Sequence, residues 1–400
     1  MELLLTHGYF LQEDEAEKRI MKPYPTLGIL YISAYLKAHG LSVHVFDTTF
    51  KRKEEFRTFV NQNHPSIVGI YSNLMTKMNV LEQIRYCKAQ GCVVVVGGPD
   101  VPEYAEAYVE YGADVAVVGE GEETMRELVP AILAHASLES VSGIVFRRDD
   151  NRIIRTIPRS LIQDLDSIPM PDREAIDMEE YVNMWRTHHG MGAVSLICAR
   201  GCPFTCTWCS RSIYGETHRR RSAKNVVDEI EFLRERYKPD MLWFADDVFT
   251  INHRWFQQFY EEMKRRNIHI PFECISRADR LTEDILQKMS ELGAFRIWYG
   301  SESGSQRILD AMQRRVSVEE IQSTTRIAQK FGIQIGLFVM LGYPGEQISD
   351  IKQTTEHLKQ TNADTFLTTV AYPIKGTELD RKSTRLNSSH IQKSRMPSSA

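Results

Sequence analysis

Cys202-Pro203-Phe204-Thr205-Cys206-Thr207-Trp208-Cys209 sets three thiols, spaced CxxxCxxC, just after the apolar run 193–197. Three clustered thiolates can hold three irons of a 4Fe–4S cluster and leave the fourth to a ligand that is not protein. A metal with an open position is where chemistry happens, because a closed site is usually structural. Two other readings compete. A structural zinc site asks for a fourth ligand and commonly shows two CxxC pairs, and no second pair exists here. Cys198 could close a site, but it continues the expected strand and reads as a small buried hydrophobe. A disulfide framework does not suit seven cysteines in 400 residues with no signal peptide.

Downstream of the cysteines, apolar runs at 194–198, 241–245, 272–276, 295–300, 334–340 and 365–370 read as strands. Helical patterns at 223–237, 253–266, 282–292, 305–312 with 318–331, and 349–361 separate them. Six such repeats predict a partial (β/α)6 TIM-like barrel, whose chemistry would sit at the carboxyl ends of the strands. The polar residues of interest fall there: Asp246-Asp247, Ser276, Arg277 and Asp279, Ser301-Glu302, and Gly342-Tyr343-Pro344-Gly345-Glu346. Taken singly, each could be an N-cap, a surface ion pair or a tight turn.

The CxxxCxxC spacing with Trp208 before the last cysteine resembles the radical S-adenosylmethionine enzymes. The resemblance implies that the methionine moiety chelates the fourth iron and that reductive cleavage of the sulfonium releases a 5′-deoxyadenosyl radical. It also implies an S-adenosylmethionine site built from Trp208, Asp246, Asp247, Ser276, Arg277, Glu302, Gly342 and Pro344. A carboxylate near the cluster would accept from the methionine ammonium. Arg277 would fork onto the methionine carboxylate. Glu302 resembles the acid that binds the ribose hydroxyls, and the Gly-Tyr-Pro-Gly turn would approach the adenine. No catalytic residue beyond the cluster ligands is assigned.

Residues 1–140 alternate nearly continuous Val/Ile/Leu runs (3–5, 43–46, 67–70, 93–96, 115–118) with helical patterns. That alternation predicts a Rossmann-like, doubly wound parallel sheet. Ligands of such sheets sit at the strands' carboxyl ends. No G-x-G-x-x-G follows the first strand, which disfavours a dinucleotide. Pro25-Thr26-Leu27-Gly28, Gly97-Gly98-Pro99 and Val118-Gly119-Glu120-Gly121-Glu122 resemble the cobalamin-binding domain that precedes the barrel in one radical-enzyme subfamily. The implied cobalamin contacts are Thr48, Ser72, Asn73, Gly97, Gly98, Pro99, Glu120, Gly121 and Glu122. Two departures stand out. The cobalt-ligating D-x-H-x-x-G motif is absent, and Asp100 occupies a place where members often carry His. The competing reading is a degenerate domain that only packs on the barrel.

Residues 141–190 read as a linker with a short hairpin, 191–380 as the barrel, and 381–400 as a non-native or disordered tail. The tail is rich in Ser, Lys and Arg, cannot bury a core face, and resembles translated adapter sequence, so the barrel is expected to be truncated. A formal charge of −4 gives no nucleic-acid footprint. No apolar stretch approaches the ~20 residues that span a bilayer. Free cysteines and an Fe–S cluster imply a reducing cytoplasm. The expected activity is cobalamin-dependent radical methylation of an unactivated carbon in a small molecule, with an electron donor such as flavodoxin or ferredoxin. Radical-mediated cyclisation or rearrangement, and a non-catalytic Fe–S binding protein, are the alternatives.

Overall fold

The computed structural model describes residues 1–383. The tail expectation therefore lies, from residue 384 on, outside the described residues. The chain divides into two compact units. One holds Met1–Leu196, Ser212–Gly215 and Arg219–Leu242; the other holds Ile197–Arg211, Glu216–His218 and the chain from Trp243 onward.

The first unit is built on a seven-stranded sheet. Its strands are β1 (Leu3–His7), β2 (Val43–Phe46), β3 (Ile67–Tyr71), β4 (Val93–Gly97), β5 (Val115–Val117), β6 (Ile144–Arg147) and β7 (Ile153–Arg155). The order is β2-β1-β3-β4-β5-β6-β7, parallel through β5 and antiparallel beyond it. Strand order reverses between β1 and β3, which opens a crevice at their carboxyl ends. Helices Lys53–Asn63, Lys77–Ala89 and Ala105–Tyr111 cover one face through Phe56, Val60, Val80, Ile84 and Tyr108. The hairpin seen in the sequence extends this sheet rather than standing alone, because Phe146 pairs with Val115 and is buried there.

Helix Met178–His189 lies in the stretch read as linker. Asp177 caps its first turn through Glu180 N (3.0 Å), and Gly190, at φ +78°, ends it. Its Tyr181 hydroxyl reaches Thr49 Oγ1 (2.6 Å) and Asp47 Oδ2 (2.8 Å), and Trp185 donates to Pro23 O (2.8 Å). Those bonds dock it at the carboxyl end of β2 and on the segment that leads into helix Leu27–Ala38. A buried triad adds to the hold: Glu229 pairs with Arg173 (2.5 Å) and with Arg221, all within the first unit.

A second, six-stranded sheet runs in chain order: β8 (Ala193–Leu196), β9 (Met241–Phe244), β10 (Phe272–Ser276), β11 (Ala294–Glu302), β12 (Gln334–Leu341) and β13 (Thr365–Val370). Pairing from β10 to β13 is parallel. In the second unit Phe244, Phe249, Phe259 and Phe272 form a buried aromatic cluster with edge-on and tilted contacts. β11 and β12 sit close because Gly336 leaves room for Trp298; a Cβ there would lie 2.3 Å from the indole. β11 bulges at its end, where Ser301 is passed over in the register between Gly300 and Glu302. β13 is an edge strand with Phe366, Leu367 and Val370 exposed. Among the described residues no helix is long and apolar enough to cross a membrane.

Removing one partner of a buried ion network leaves uncompensated charge, which costs about 3–5 kcal/mol. Glu229→Gln should therefore lower the unfolding free energy of the first unit by that amount, read as a fall in its urea midpoint. An unchanged midpoint would mean that the triad contributes no net pairing.

Candidate functional site

The cysteine loop begins at Gly201, whose φ of +87° and nearness to Thr217 O (2.3 Å from an added Cβ) exclude a side chain. Cys206 is buried, Cys202 half-buried and Cys209 exposed. The loop is pinned at its middle. Thr207 N donates to Met312 O (3.1 Å), Thr207 Oγ1 meets the Tyr343 hydroxyl (2.7 Å), and Leu379 N donates to Thr207 O (2.9 Å). Trp208 packs against the apolar group Ile308, Met312, Met340, Tyr343 and Leu379, so its ring anchors the loop.

The thiols share one electrostatic neighbourhood. Although Cys209 as a residue is exposed, the loops around its thiol desolvate it and push it up to about 12, with Cys206, Asp247, Cys202 and Glu302 adding to the shift. Burial raises Cys202 as well, with Asp247 and Cys206 contributing. Among the described residues no three His, Cys, Asp or Glu side chains converge on a single ion. A polynuclear cluster does not require convergence, because each thiolate binds a different iron. The donor set therefore suits an Fe–S cluster.

Arg277, at the end of β10, is fully buried. Its Nε donates to Asp279 Oδ1 (2.8 Å), its Nη2 donates to Arg314 O (2.8 Å), and its Nη1 lies 4.0 Å from Cys206 Sγ. The guanidinium stacks on Phe204 at 3.7 Å. Most of its fork is thus spent on the protein, leaving Nη1 turned to the thiol. Ser276 is buried with its hydroxyl on Thr250. Asp246 is buried and accepts from Cys198 N (3.1 Å). Its neighbour Asp247 accepts no hydrogen bond from the described residues. Desolvation, then the charge of Asp246, raises the Asp247 carboxyl.

Glu302 closes the bulged end of β11 at φ +56°, a conformation that costs a residue with a Cβ roughly 1–2 kcal/mol. Its carboxylate folds over Gly300, where an added Cβ would lie 2.1 Å from Oε1. Arg314 Nε stands 3.9 Å away, and no hydrogen bond from the described residues reaches the carboxylate. Burial pushes this carboxyl up to about 7, against the lowering charges of Arg314 and Arg277. Past β12, Pro344 and Gly345 (φ +87°) form a turn closed by Glu346 N to Tyr343 O (2.9 Å). Gly342 N donates to Glu346 Oε2 (2.6 Å). Arg314 and Phe204 were not legible as site residues, since only the folded loops bring them to Glu302 and Arg277.

In the first unit the nine expected cofactor contacts all lie at the carboxyl ends of β2 to β5. Several are engaged with the protein itself. Thr48 Oγ1 bonds to Tyr9 O (2.8 Å), Ser72 Oγ meets the Tyr108 hydroxyl (2.7 Å), and Asn73 Oδ1 accepts from Thr76 N (2.9 Å). Pro99 O accepts from Ser212 Oγ (2.8 Å). Glu120 is buried, takes both oxygens to Arg219 (2.9 Å each) and accepts from Ile162 N (2.8 Å). Gly121 precedes helix Glu122–Leu133, whose first residue Glu122 is buried. Gly97 ends β4, and Gly98, at φ +110°, lies so near Ser72 O that a Cβ would stand 2.4 Å away. Asp100 is held by Lys77 (2.8 Å) and Tyr108 (2.7 Å). Beside Asn73 an apolar trio, Leu74, Met75 and Met78, is exposed. Glycine-lined backbone next to exposed apolar side chains fits a large, flat, amphipathic ligand.

A family model for the radical SAM superfamily matches residues 196–358, and one for the B12 binding domain matches residues 19–129. By these matches the chain carries a radical SAM domain, with a B12 binding domain ahead of it. It is 28% identical to an uncharacterized methyltransferase of Pyrococcus horikoshii, over 89% of this chain and 77% of that protein. It is 26% identical to the anaerobic magnesium-protoporphyrin IX monomethyl ester cyclase of Rubrivivax gelatinosus, over 85% of this chain and 63% of the cyclase. Its fold matches the radical S-adenosylmethionine methyltransferase TsrM of Kitasatospora setae, a structure with cobalamin and a [4Fe-4S] cluster bound. The TM-score is 0.76 at 18% identity, covering 92% of this chain and 72% of TsrM.

A carboxyl whose proton affinity is raised by folding gives stability that is present below its unfolded pKa and lost as pH rises through the folded value. For Glu302 that window runs from the ordinary 4.5 up to about 7. Glu302→Gln should therefore raise the thermal midpoint of the apoprotein at pH 8, and the gain should vanish near pH 4.5. An equal gain at both pH values would remove ionisation of Glu302 as its cause.

Proposed function

We propose that this radical SAM enzyme is cobalamin-dependent and methylates an unactivated carbon of a small-molecule substrate. The observation that carries the reading is three thiols in one loop sharing their surroundings with Asp247 and Glu302, two carboxylates with unused acceptor capacity. Loaded with a 4Fe–4S cluster, S-adenosylmethionine and cobalamin, such a protein supplies a 5′-deoxyadenosyl radical for hydrogen abstraction and a methyl group for transfer.

The chain's residues bind and orient. Cys202, Cys206 and Cys209 serve as the iron ligands. Asp247 accepts from the methionine ammonium, and Glu302 accepts from the ribose hydroxyls. In a buried site those bonds gain strength from the low local dielectric. Arg277 keeps a fixed positive charge against Cys206, with Nη1 left to meet the methionine carboxylate. The backbone of the 342–345 turn borders the adenine. Trp208, Ser276 and Asp246 hold the surrounding loops in place. In residues 1–140, Gly97, Gly98 and Pro99 with Gly121 and Glu122 border the cobalamin. Thr48, Ser72, Asn73 and Glu120 shape the loops beneath it, and Leu74, Met75 and Met78 offer apolar surface. Residues 191–380 hold the cluster. A low-potential donor such as flavodoxin or ferredoxin, in a reducing cytoplasm, fits this chemistry.

Similarity to the cyclase favours a second reading, radical-mediated oxidative cyclisation or rearrangement with the same cofactors. Product analysis separates the two: methyl transfer adds one carbon to the substrate, and cyclisation adds none.

After anaerobic reconstitution with iron, sulfide and cobalamin, dithionite and S-adenosylmethionine should release 5′-deoxyadenosine. Cys206→Ala should abolish both cluster and product while the first unit stays folded. No product above background from the parent protein would point instead to an Fe–S binding protein without turnover. Asp247→Ala should weaken S-adenosylmethionine binding more than iron content. Iron loss equal to that of Cys206→Ala would contradict the role given to Asp247.

A further inference from the structure

We propose that one polar face of helix Ile348–Thr361 is the positioning device for Glu302, and that His357 is the positioning residue on which it turns. The inference rests on the assignment of Glu302 to S-adenosylmethionine.

Three serines alternate along the loop that carries Glu302: Ser301, Ser303 and Ser305. Three helix residues face them at positions i, i+4 and i+7, which share one side of a helix: Asp350, Thr354 and His357. The two sets match one to one. Ser301 Oγ meets His357 Nε2 at 2.8 Å, Ser303 Oγ meets Thr354 Oγ1 at 3.1 Å, and Ser305 Oγ donates to Asp350 Oδ1 at 2.7 Å. All six residues are buried. Between them Gly304 lies directly on the helix, where an added Cβ would stand 2.5 Å from both Gln353 O and His357 Cβ.

Each partner is used to capacity. Thr354 Oγ1 donates to Asp350 O (3.0 Å) and accepts from Gly304 N (2.9 Å) and from Ser303. Gln322 Nε2 (3.2 Å) and Thr361 Oγ1 (3.3 Å) both face His357 Nδ1; the Thr361 hydroxyl proton goes to His357 O (2.6 Å), the Gln322 amide donates to Nδ1, and the imidazole proton on Nε2 is given to Ser301. Burial keeps this ring neutral by pushing its pKa down to about 4. Asp350 Oδ2 accepts from Gln347 N (2.8 Å) and pairs with Arg307.

No contact of this face touches the Glu302 carboxylate. The contacts grip the two residues on either side, Ser301 and Ser303. Ser303 N also donates to Ser301 O at 2.6 Å, closing a three-residue turn with Glu302 at its apex. A bulged strand end re-aims the side chain that follows it. Here the bulged residue is Ser301, the one held by His357. Left-handed backbone at Glu302 persists because its neighbours are fixed from outside the turn.

The test measures S-adenosylmethionine affinity by anaerobic equilibrium dialysis on the cluster-loaded full chain, beside iron content and cluster absorbance. Loss of one buried hydrogen bond is worth about a tenfold change in a binding constant. His357→Phe keeps the ring volume and removes the donor, so it should weaken binding about tenfold at unchanged iron content. His357→Gln returns an N–H at similar reach and should restore affinity to within about twofold. Thr354→Val, which deletes the second grip, should repeat the loss and serves if His357→Phe does not fold. Combining His357→Phe with Glu302→Gln should cost less than the sum of the two single losses. If Glu302→Gln weakens binding but neither His357→Phe nor Thr354→Val does, or if Gln fails to rescue, the positioning role is wrong. If Glu302→Gln leaves affinity intact, the assignment of Glu302 itself has failed.

Discussion

Desolvation of clustered acidic groups governs this site, with like charge adding to it. Cys202, Cys206 and Cys209 share their surroundings with Asp247 and Glu302, and each raised proton affinity there traces to burial plus a negative neighbour, or to burial alone for Glu302. Folding keeps these groups together with covalent spacing in the loop, the Thr207 bonds and the stacked pair Arg277–Phe204. Such a site is built to be completed by positive charge, which an iron cluster and a sulfonium both bring. The cost of assembling it is met by the aromatic and apolar packing behind the strands.

Charge is handled differently in the first unit. Glu229 between Arg173 and Arg221, Glu120 on Arg219, and Asp47 between His7 and Tyr181 are closed arrangements, with each carboxylate matched to its donors. Matched pairs hold loops in place and leave little capacity for a ligand. What remains open near the β1/β3 crevice is glycine backbone and exposed methionine. The two units thus prepare for ligands by opposite means, one with unmatched polar groups and one with exposed apolar surface.

Both sheets were legible in the sequence, because β1, β3, β4 and the barrel strands are apolar runs separated by clear helical patterns. The cysteine loop was legible from spacing alone. Pairing over long separations was not. Nothing local to Glu120 announces Arg219, 99 residues away, and nothing near Arg277 shows that the Arg314 carbonyl, 37 residues on, takes its Nη2. Helix Met178–His189 escaped because residues 141–190 read as a linker, while its burial depends on Asp47, Thr49 and Pro23. Trp208 could be read from its motif position, but its packing against Ile308 and Leu379 exists only in the fold.

β13 carries a practical consequence. Its outward aromatic and aliphatic side chains meet water, and no strand among the described residues pairs with its outer side. Such an edge is a template for another strand, and nature normally blunts it with charge, proline or a covering element. Concentrated samples of this chain are therefore prone to sticking together through that border. Dilute handling, or a lysine placed among the outward positions, is the direct remedy.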